Sequence, residues 1–265
     1  MTTLIIPVRD RADRIGVVLR NWADDRQCQD ITEFIVIDDG SIDDTPNVVQ
    51  RMQEKISNLS LIRHERPLGF GACVRSGLRQ AGTEFVATLS LDYPYLPSDY
   101  TLLLKRMNEP SEVFGEVRPI GVISGCRSGL PAPAFWKVIG RIYRNFLRVS
   151  LGFKPEPLPG WLGLRNHCRS WWLWLTMGVP LVDVSSGLRI YRRELLDRII
   201  IQSDGDFAHA EVIAKLTFLG TLIAEVPLPP RKAAVVATDF GEFWTVFRNA
   251  RFTSPACASE PCPPV

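Results

Sequence analysis

Short apolar runs alternate with amphipathic segments along the first half of the chain. Runs of aliphatic residues bounded by turn formers predict strands. The predicted strands are residues 4–8, 34–37, 59–62, 85–91 and 120–124. Apolar positions at helical spacing predict helices between them, at residues 15–22, after a cap at Ser41 or Asp43, and at 71–81. Strands separated by helices at this rhythm predict an α/β fold with a parallel sheet and right-handed crossovers.

The second half of the chain has a different pattern. Residues 135–153 form a predicted amphipathic helix with apolar residues on one side and Lys137, Arg141, Arg144 and Arg148 on the other. Further predicted elements are a strand at 185–191, a helix at 208–218, a strand at 222–226 and a helix at 240–252. We predict one domain over residues 1–252, with halves at 1–127 and 128–252, an insertion at 154–182 and a disordered tail at 253–265.

Polar residues follow the predicted strands directly. They are Arg9-Asp10, Asp38-Asp39, the segment 66–71, Asp92 and Arg127. Open parallel sheets bind ligands at the carboxyl ends of their strands, so these positions are the candidates for chemistry. Asp38 and Asp39 stand before Gly40 and Ser41, which suits a nucleotide pocket, because carboxylates accept hydrogen bonds from a base or ribose. A helix cap is the alternative interpretation of this segment, although a cap needs only one such residue.

Several segments resemble the family 2 glycosyltransferases. Residues 36–45 (VIDDGSIDDT) resemble the VDDGSxDxT segment of that family, residues 4–10 its opening strand, and residues 68–77 its glycine-containing helix start. Residues 183–189 and 211–231 resemble segments of its polyprenyl-phosphate sugar transferases. The resemblance implies a Rossmann-like GT-A fold with a mostly parallel central sheet flanked by helices. It also implies inverting transfer of a sugar from a nucleoside-diphosphate sugar to a polyprenyl phosphate.

The resemblance implies a role for each matching residue. The half 1–127 would bind the nucleotide sugar, and the half 128–252 would bind the acceptor. The implied catalytic residues are Asp92, Asp183 and Arg127. The implied nucleotide-sugar contacts are Pro7, Arg9, Asp10, Asp38, Asp39, Gly40, Gly69, Gly71 and Ser90. The implied acceptor or phosphate contacts are Arg127, Lys137, Arg141, Ser186, Arg189 and Arg231.

A divalent metal is the cofactor that the resemblance implies. The family's Asp-x-Asp pattern would hold Mg²⁺ or Mn²⁺ against the diphosphate, and Asp92 is the expected ligand. Ser90 stands where the first Asp is expected, and Arg11 stands where relatives usually carry Glu. The Ser90 departure lowers the expected affinity for metal and puts metal dependence in doubt, and both departures motivate the alternative of a degenerate binding protein.

Composition and charge limit the partners and the cellular location that we expect for this protein. The net charge of +2 does not indicate nucleic-acid binding. Six Cys residues without a CxxC pair indicate free thiols in a reducing compartment. No apolar stretch reaches the roughly 18 residues of a membrane span. We expect a cytoplasmic protein that contacts the inner face of the membrane peripherally, with helix 135–153 either at the interface or packed on the sheet.

Three other hypotheses remain at this point. The chain could be a degenerate nucleotide-sugar-binding protein without activity, or a transferase that uses a hydroxyl acceptor and takes Asp183 or Glu211 as its base. A nucleotidyltransferase is disfavoured because residues 7–11 lack glycines. His64 and His209 are interpreted as structural, with no metal pattern around them. The sugar, the nucleotide, the acceptor, the role of the insertion and the oligomeric state are left open.

Overall fold

The computed structural model describes residues 1–109, 111–113, 116–127 and 183–231, together with 173, 176–179, 181, 242, 246 and 248–253. Lys137 and Arg141, the predicted helix 135–153, most of insertion 154–182, part of the predicted helix 240–252 and tail residues 254–265 lie outside the described residues. The predicted boundary between the two halves at 127/128 stays a prediction, although strands from both halves share one sheet.

Strands and helices alternate through the described residues. The strands are β1 (Thr2–Val8), β2 (Ile31–Asp38), β3 (Leu59–Arg63), β4 (Phe85–Thr88), β5 (Ser111–Val113), β6 (Glu116–Arg118), β7 (Val122–Arg127), β8 (Arg189–Arg192) and β9 (Ile223–Leu228). The helices are α1 (Ala12–Asp24), α2 (Thr45–Gln53), α3 (Phe70–Gln80), α4 (Pro97–Asn108), α5 (Arg193–Leu196) and α6 (Ala208–Phe218), and a short 3₁₀ turn spans Arg26–Cys28.

The central sheet has seven strands in the order β3-β2-β1-β4-β8-β7-β9. All neighbouring pairs are parallel except the two that involve β8. Strands β5 and β6 form a separate antiparallel pair. This mixed α/β architecture, with a mostly parallel sheet between helices, confirms the predicted fold class.

The core lies on both faces of the sheet. Alternate residues of a strand point to opposite faces. Leu4 and Ile6 of β1 pack in one cluster with residues of α1, α2 and α4, whereas Ile5 belongs to a second cluster with residues of α3 and α6. Because both faces of β1 are buried, its sequence is continuously apolar instead of alternating.

The reversed direction of β8 is the exception in the mostly parallel sheet that the sequence predicts. It pairs antiparallel with β4 on one side and with β7 on the other. Thr88 and Ser124, near the carboxyl ends of these neighbours, both lie opposite Arg189, the first residue of β8. The loop that precedes β8 is therefore brought to the same edge of the sheet as the ends of the parallel strands.

Several element boundaries also differ from prediction. Strand β4 ends at Thr88 instead of 91, and β8 begins at Arg189 instead of 185. Helix α4 is absent from the predicted elements, although Asp99 in its first turn accepts a hydrogen bond from the backbone N–H of Leu96 at 2.8 Å. Asp44 directly precedes α2 but makes no side-chain cap bond, whereas Oδ1 of Asp43 accepts from the backbone N–H of Thr45 at 2.9 Å, as a cap at Asp43 predicts. Within the described residues, no helix is long and apolar enough to cross a membrane.

Candidate functional site

The carboxyl edge of the sheet gathers most of the predicted site residues. Strands β1, β2 and β4 are parallel, so the residues after Val8, Asp38 and Thr88 lie side by side. The antiparallel β8 brings Arg189 and the loop 183–188 to the same edge. Parallel strand ends and one reversed strand thus form a single polar surface.

Two adjoining cavities open at this edge. The large cleft has a volume of about 360 Å³, and its lining consists of Pro7, Val8, Arg9, Asp10, Arg11, Asp39, Phe70, Cys73, Ser90, Leu91, Asp92, Asp206 and His209. The small pocket, about 40 Å³, is lined by Ser90, Asp92, Tyr93, Tyr95, Arg127, Ser185, Gly187, Asp206 and His209. The four residues common to both are Ser90, Asp92, Asp206 and His209. The two cavities therefore adjoin at these four side chains.

Asp38 and Asp39, the two predicted nucleotide ligands, have different surroundings. Asp38 is fully buried, and its Oδ1 accepts a hydrogen bond from the backbone N–H of Ser41 at 3.1 Å. Asp39 lines the large cleft. Its Oδ1 contacts His64 and the backbone N–H of Leu68, each at 2.8 Å, and its Oδ2 accepts from the backbone N–H of Gly69 at 2.8 Å. A carboxylate oxygen has two acceptor positions, so Oδ2 of Asp39 can accept one more hydrogen bond.

The hydrogen bonds to Asp39 predict an acid-sensitive contribution to stability. Burial alone would raise the pKa of the Asp39 carboxyl, but the bonds from His64, Leu68 and Gly69 outweigh burial and hold the pKa below its ordinary value of 3.8. A carboxyl whose pKa is lower in the folded state stabilises the fold above its unfolded pKa, and the contribution is lost as pH falls through the folded pKa. Asp39→Asn is expected to lower the free energy of unfolding by about 2 kcal/mol at pH 7.

Urea unfolding of wild type and Asp39→Asn between pH 7 and pH 3 measures this contribution. The difference between the two proteins should shrink as the pH falls below the ordinary carboxyl range. Asp13→Asn is a matched control, because Asp13 is exposed on α1. A difference between wild type and Asp39→Asn that stays constant over the whole pH range would contradict the assignment.

His64 and Cys73 complete a cluster with Asp39 that the sequence analysis does not predict. The potential ligand atoms of the three side chains lie within 4.8 Å of one another, the only group with metal-ligand spacing among the described residues. Burial raises the pKa of the Cys73 thiol, and Asp39 raises it further. The second ring nitrogen of His64, Nε2, lies 2.9 Å from the Ser76 hydroxyl. The cluster is thus a closed hydrogen-bond network around a protonated thiol, which does not favour a metal ion.

The segment 41–45 anchors the start of α1. The backbone N–H groups of Asp10, Arg11 and Ala12 donate to Ser41 Oγ, Thr45 Oγ1 and Asp43 Oδ2 at 3.0, 2.9 and 3.0 Å. These acceptors satisfy N–H groups that the first turn of a helix leaves unpaired. Part of the Asp-Asp-Gly-Ser motif therefore holds the loop after β1 in place.

The glycines of the predicted nucleotide-binding set allow close backbone approach. Gly40 has φ +65°, and a Cβ there would lie 2.7 Å from the backbone of Arg66 and Pro67. A Cβ at Gly69 would lie 2.6 Å from the carbonyl oxygen of Asp204, and one at Gly71 would lie 2.1 Å from that of Ser203. Gly69 and Gly71 therefore allow the start of α3 to lie against the loop 203–205, next to Phe70 and Cys73 of the large cleft.

Asp92 is the residue for which the resemblance implies a metal. Its Oδ1 lies 3.3 Å from Nη2 of Arg11, and its Oδ2 accepts a hydrogen bond from the Ser90 hydroxyl at 3.1 Å. Divalent ions are held by oxygen ligands, normally with one or more carboxylates available for coordination. Asp92 meets a guanidinium and a hydroxyl and, among the described residues, is not part of a group of three side chains at metal-ligand spacing, so its contacts do not fit a divalent ion.

Arg127 and Asp183 form a buried ion pair at the small pocket. Nε and Nη2 of Arg127 each donate to Asp183 at 2.7 Å, and the backbone N–H of Arg127 donates to the same carboxylate at 3.1 Å. The Ser185 hydroxyl accepts from Arg127 Nη2 at 2.8 Å. Burial alone would raise the pKa of Asp183, but the Arg127 guanidinium outweighs burial and lowers it. Arg127 lines the small pocket, while Asp183 lies behind it.

The other predicted acceptor residues lie behind the cavities. Arg189 is fully buried and donates to Ser124 Oγ at 3.1 Å and to the backbone carbonyl of His209 at 3.2 Å. Ser186 is also fully buried. Arg231 forms an ion pair with the buried carboxylate of Asp99. In the described residues these side chains hold the edge together and do not line either cavity.

His209 is a site residue that the sequence analysis interprets as structural. It lines both cavities and is 8% exposed. Its ring stacks on Phe70 with centroids 3.7 Å apart, and its Nδ1 lies 3.3 Å from Arg189 Nη1. Asp206 and Arg11 also line the large cleft. The sequence analysis notes Arg11 only as a departure from the family pattern and does not name Asp206, because the chain segments that bring these three residues together are distant in sequence.

The glycosyl transferase family 2 model matches residues 3–150 of the chain. An undecaprenyl-phosphate 4-deoxy-4-formamido-L-arabinose transferase from Pseudomonas syringae is 28% identical over 120 residues, which are 44% of this chain and 35% of that protein. A dolichyl-phosphate beta-glucosyltransferase from Trichomonas vaginalis is 28% identical over 156 residues, 57% of this chain and 45% of that protein. The match therefore spans less than half of the length of these relatives.

Solved structures share the fold at low identity. Glucosyl-3-phosphoglycerate synthase from Mycobacterium tuberculosis, in complex with Mn²⁺, UDP-glucose and phosphoglyceric acid, superposes with a TM-score of 0.57 and 18% identity over 89% of this chain and 72% of that one. A mannosyltransferase from Pyrobaculum calidifontis, in complex with GDP-Man and Mn²⁺, superposes with a TM-score of 0.54 and 19% identity, over 93% of this chain and 60% of that one. Both of these structures contain Mn²⁺ with a nucleotide sugar.

Proposed function

Because the chain belongs to glycosyl transferase family 2, we propose that it transfers a sugar from a nucleoside-diphosphate sugar to a polyprenyl phosphate, with inversion at the sugar C1. The position of the small pocket directly beside the large cleft carries this proposal. A donor in the large cleft and an anionic acceptor beside Arg127 would meet at the four residues that line both cavities.

The large cleft suits the donor in size and polarity. Pockets for small ligands are typically about 300–1,000 Å³, and this cleft has about 360 Å³. Oδ2 of Asp39 can accept a hydrogen bond from the nucleobase or ribose. Arg9 and Arg11 line the same cleft and suit the diphosphate, because guanidinium groups bind phosphate oxygens in a bidentate manner.

The available carboxylates favour a phosphate acceptor over a hydroxyl acceptor. A hydroxyl must lose a proton, whereas a phosphate oxygen is already anionic near neutral pH. Asp183 is a weak base, because Arg127 lowers its pKa. Glu211 is fully buried and accepts hydrogen bonds from Lys215 and from the backbone N–H groups of Gln202 and Ser203. Asp183 and Glu211, the two residues predicted to act as the base for a hydroxyl acceptor, are therefore both unsuited to that role.

The proposed reaction is a single displacement. An oxygen of the acceptor phosphate forms a bond to C1 as the bond from C1 to the diphosphate oxygen breaks, and the electron pair leaves with the diphosphate. No proton has to move. The contribution of the protein is then alignment and charge stabilisation, and alignment is worth up to about 7–11 kcal/mol in favourable cases. Arg127, which Asp183 holds in a fixed orientation, would orient the acceptor phosphate.

A lipid acceptor requires contact with a membrane surface. We assign that contact to the segment 135–182, because its sequence combines an amphipathic basic stretch with Trp171, Trp172 and Trp174. The assignment rests on the sequence pattern alone.

Calorimetric titration with UDP and with GDP tests the donor part of the proposal. We expect one of the two nucleotides to bind with a micromolar dissociation constant, about 8 kcal/mol of binding free energy. Turnover of the corresponding nucleotide sugar is then measured with a short-chain polyprenyl phosphate, with 3-phosphoglycerate and with a simple alcohol as acceptors. Transfer to the polyprenyl phosphate should exceed transfer to the other two.

A substitution in the small pocket separates donor binding from acceptor use. Ser185 lines the small pocket but not the large cleft. Ser185→Tyr should leave nucleotide affinity unchanged within about twofold while it lowers transfer by at least about 100-fold. Failure of both UDP and GDP to bind wild type would overturn the proposal. Binding without any transfer would indicate a nucleotide-sugar-binding protein without activity.

A further inference from the structure

Arg11 bridges two walls of the large cleft. Its Nη1 donates to the backbone carbonyl of Asp10 at 3.0 Å, and its Nη2 lies 3.3 Å from Asp92 Oδ1. The Arg11 side chain is 39% exposed and the Asp92 side chain 42% exposed. The guanidinium therefore sits at the surface of the cleft, between the end of β1 and the loop after β4, and remains accessible to a ligand.

The backbone that carries Arg11 is held on both sides. Asp10 has φ +50°, a conformation that residues other than glycine seldom adopt. The N–H groups of residues 10, 11 and 12 all donate to side chains of the segment 41–45. In return, the Asp10 carboxylate accepts a hydrogen bond from the N–H of Ile42 at 2.9 Å. The backbone of Arg11 is therefore fixed, and the contacts with the Asp10 carbonyl and the Asp92 carboxylate set where its guanidinium lies.

The contact between the Arg11 guanidinium and Asp92 favours an anion over a metal ion at this position. A guanidinium stays protonated at any physiological pH, so a divalent ion at Asp92 would face a permanent positive charge 3.3 Å from its ligand oxygen. Ser90 provides a hydroxyl and no second carboxylate. A diphosphate carries several negative charges, and Arg9 lines the same cleft as a second cation. The carboxylates of Asp10, Asp39, Asp92 and Asp206 also line the cleft, so Arg9 and Arg11 are the two cationic side chains in its lining that can bind a diphosphate.

We propose that Arg11 takes the place of a divalent metal in this chain and stabilises the negative charge that the diphosphate acquires as it leaves. This inference rests on the proposed function. The bond changes are those of the single displacement described above, and Arg11 neither gains nor loses a proton. Asp92 orients the guanidinium through the contact between Nη2 and Oδ1.

The test compares binding with and without metal. Calorimetry of wild type with UDP and GDP is performed in EDTA and in about 1 mM Mn²⁺, and we expect affinities that agree within about twofold. Arg11→Gln should weaken binding of the nucleoside diphosphate by about 10- to 100-fold, as expected when a charge-assisted hydrogen bond is lost. Affinity for the free nucleoside, uridine or guanosine, should stay within about twofold of wild type, a result that a general loss of structure would not give.

Two further variants make the test specific. Arg14→Gln, one turn along α1 on the exposed surface, is the matched control and should bind like wild type. The double variant Arg11→Glu/Ser90→Asp should gain at least about tenfold in affinity on addition of Mn²⁺, because it provides two more carboxylates and removes the guanidinium.

The outcomes for the two proposals are distinguishable. Wild type that binds a nucleoside diphosphate at least about tenfold more weakly in EDTA than in Mn²⁺ would overturn the role of Arg11 and leave the proposed function standing. Equal loss of diphosphate and nucleoside affinity in Arg11→Gln would also overturn it. Absence of nucleotide binding under both conditions would overturn the proposed function and this inference with it.

Discussion

Replacement of Asp183 by alanine is expected to lower the free energy of unfolding by about 3–5 kcal/mol, the range found when one partner of a buried ion pair is removed. Asp183 is 3% exposed and Arg127 is 9% exposed. Without the carboxylate, the Arg127 guanidinium and its backbone N–H lose three hydrogen bonds inside the protein. Urea unfolding at pH 7 measures the loss.

Two matched variants separate charge burial from other effects of truncation. Asp197→Ala removes an exposed carboxylate that pairs with Arg193 at 2.9 Å, and we expect a loss below about 1 kcal/mol. The double variant Arg127→Met/Asp183→Asn removes both charges, and the new amide oxygen can still accept a hydrogen bond from the backbone N–H of residue 127. We expect this double variant to recover at least half of the lost stability, and to show no transfer because it lacks the Arg127 guanidinium. A double variant as unstable as Asp183→Ala would contradict the electrostatic explanation.

Replacement of Gly71 by alanine is expected to cost about 3 kcal/mol or more, although alanine is the better helix former. A Cβ at this position would lie 2.1 Å from the carbonyl oxygen of Ser203 and 2.8 Å from Cβ of Ala208. The backbone carbonyl cannot rotate away as a flexible side chain can. In addition, the N–H of Gly71 donates to the carbonyl of Asp204 at 2.7 Å, so a shift of α3 would break this bond.

Gly82→Ala is the control for Gly71→Ala. Gly82 follows α3, and a Cβ there would meet no atom within 4 Å. We expect the free energy of unfolding of Gly82→Ala to match that of wild type within about 0.5 kcal/mol. Its thermal midpoint should match that of wild type as well. Equal stabilities of the two glycine variants would show that the close contact between α3 and the loop 203–205 does not exist in solution.

The family resemblance implies a role in ligand binding or catalysis for Asp183 and Gly71, the residues changed in these two predictions. In the structure, protein atoms surround both residues. Gly71 packs α3 against a loop, and Asp183 orients Arg127. Residues of this kind act on a ligand only through their neighbours. Substitutions at them should lower stability and activity together, whereas Arg11→Gln should lower diphosphate affinity without loss of stability.

The amino-acid sequence by itself determined the fold class and the edge of the sheet at which the candidate site lies. Apolar runs at regular spacing predict β1, β2, β3 and the helices between them, because local hydrophobic periodicity reflects which side of each element is buried. Polar residues after the strand ends predict the edge at which the cavities open, because parallel strands end together. Pro7, Arg9, Asp10, Asp39, Ser90 and Asp92 of the predicted set line the large cleft.

Tertiary structure decided what each of these residues contacts. The reversed direction of β8 brings Arg189 and the loop 183–188 to the ligand edge, and strand direction depends on chain connections that periodicity does not encode. Contacts such as Arg11 with Asp92 and Asp39 with His64 join residues that are 81 and 25 positions apart. Such distant partners are set by how the strands and helices pack, so only the folded chain shows that Ser41, Asp43 and Thr45 anchor a helix and that Arg11 faces the cleft.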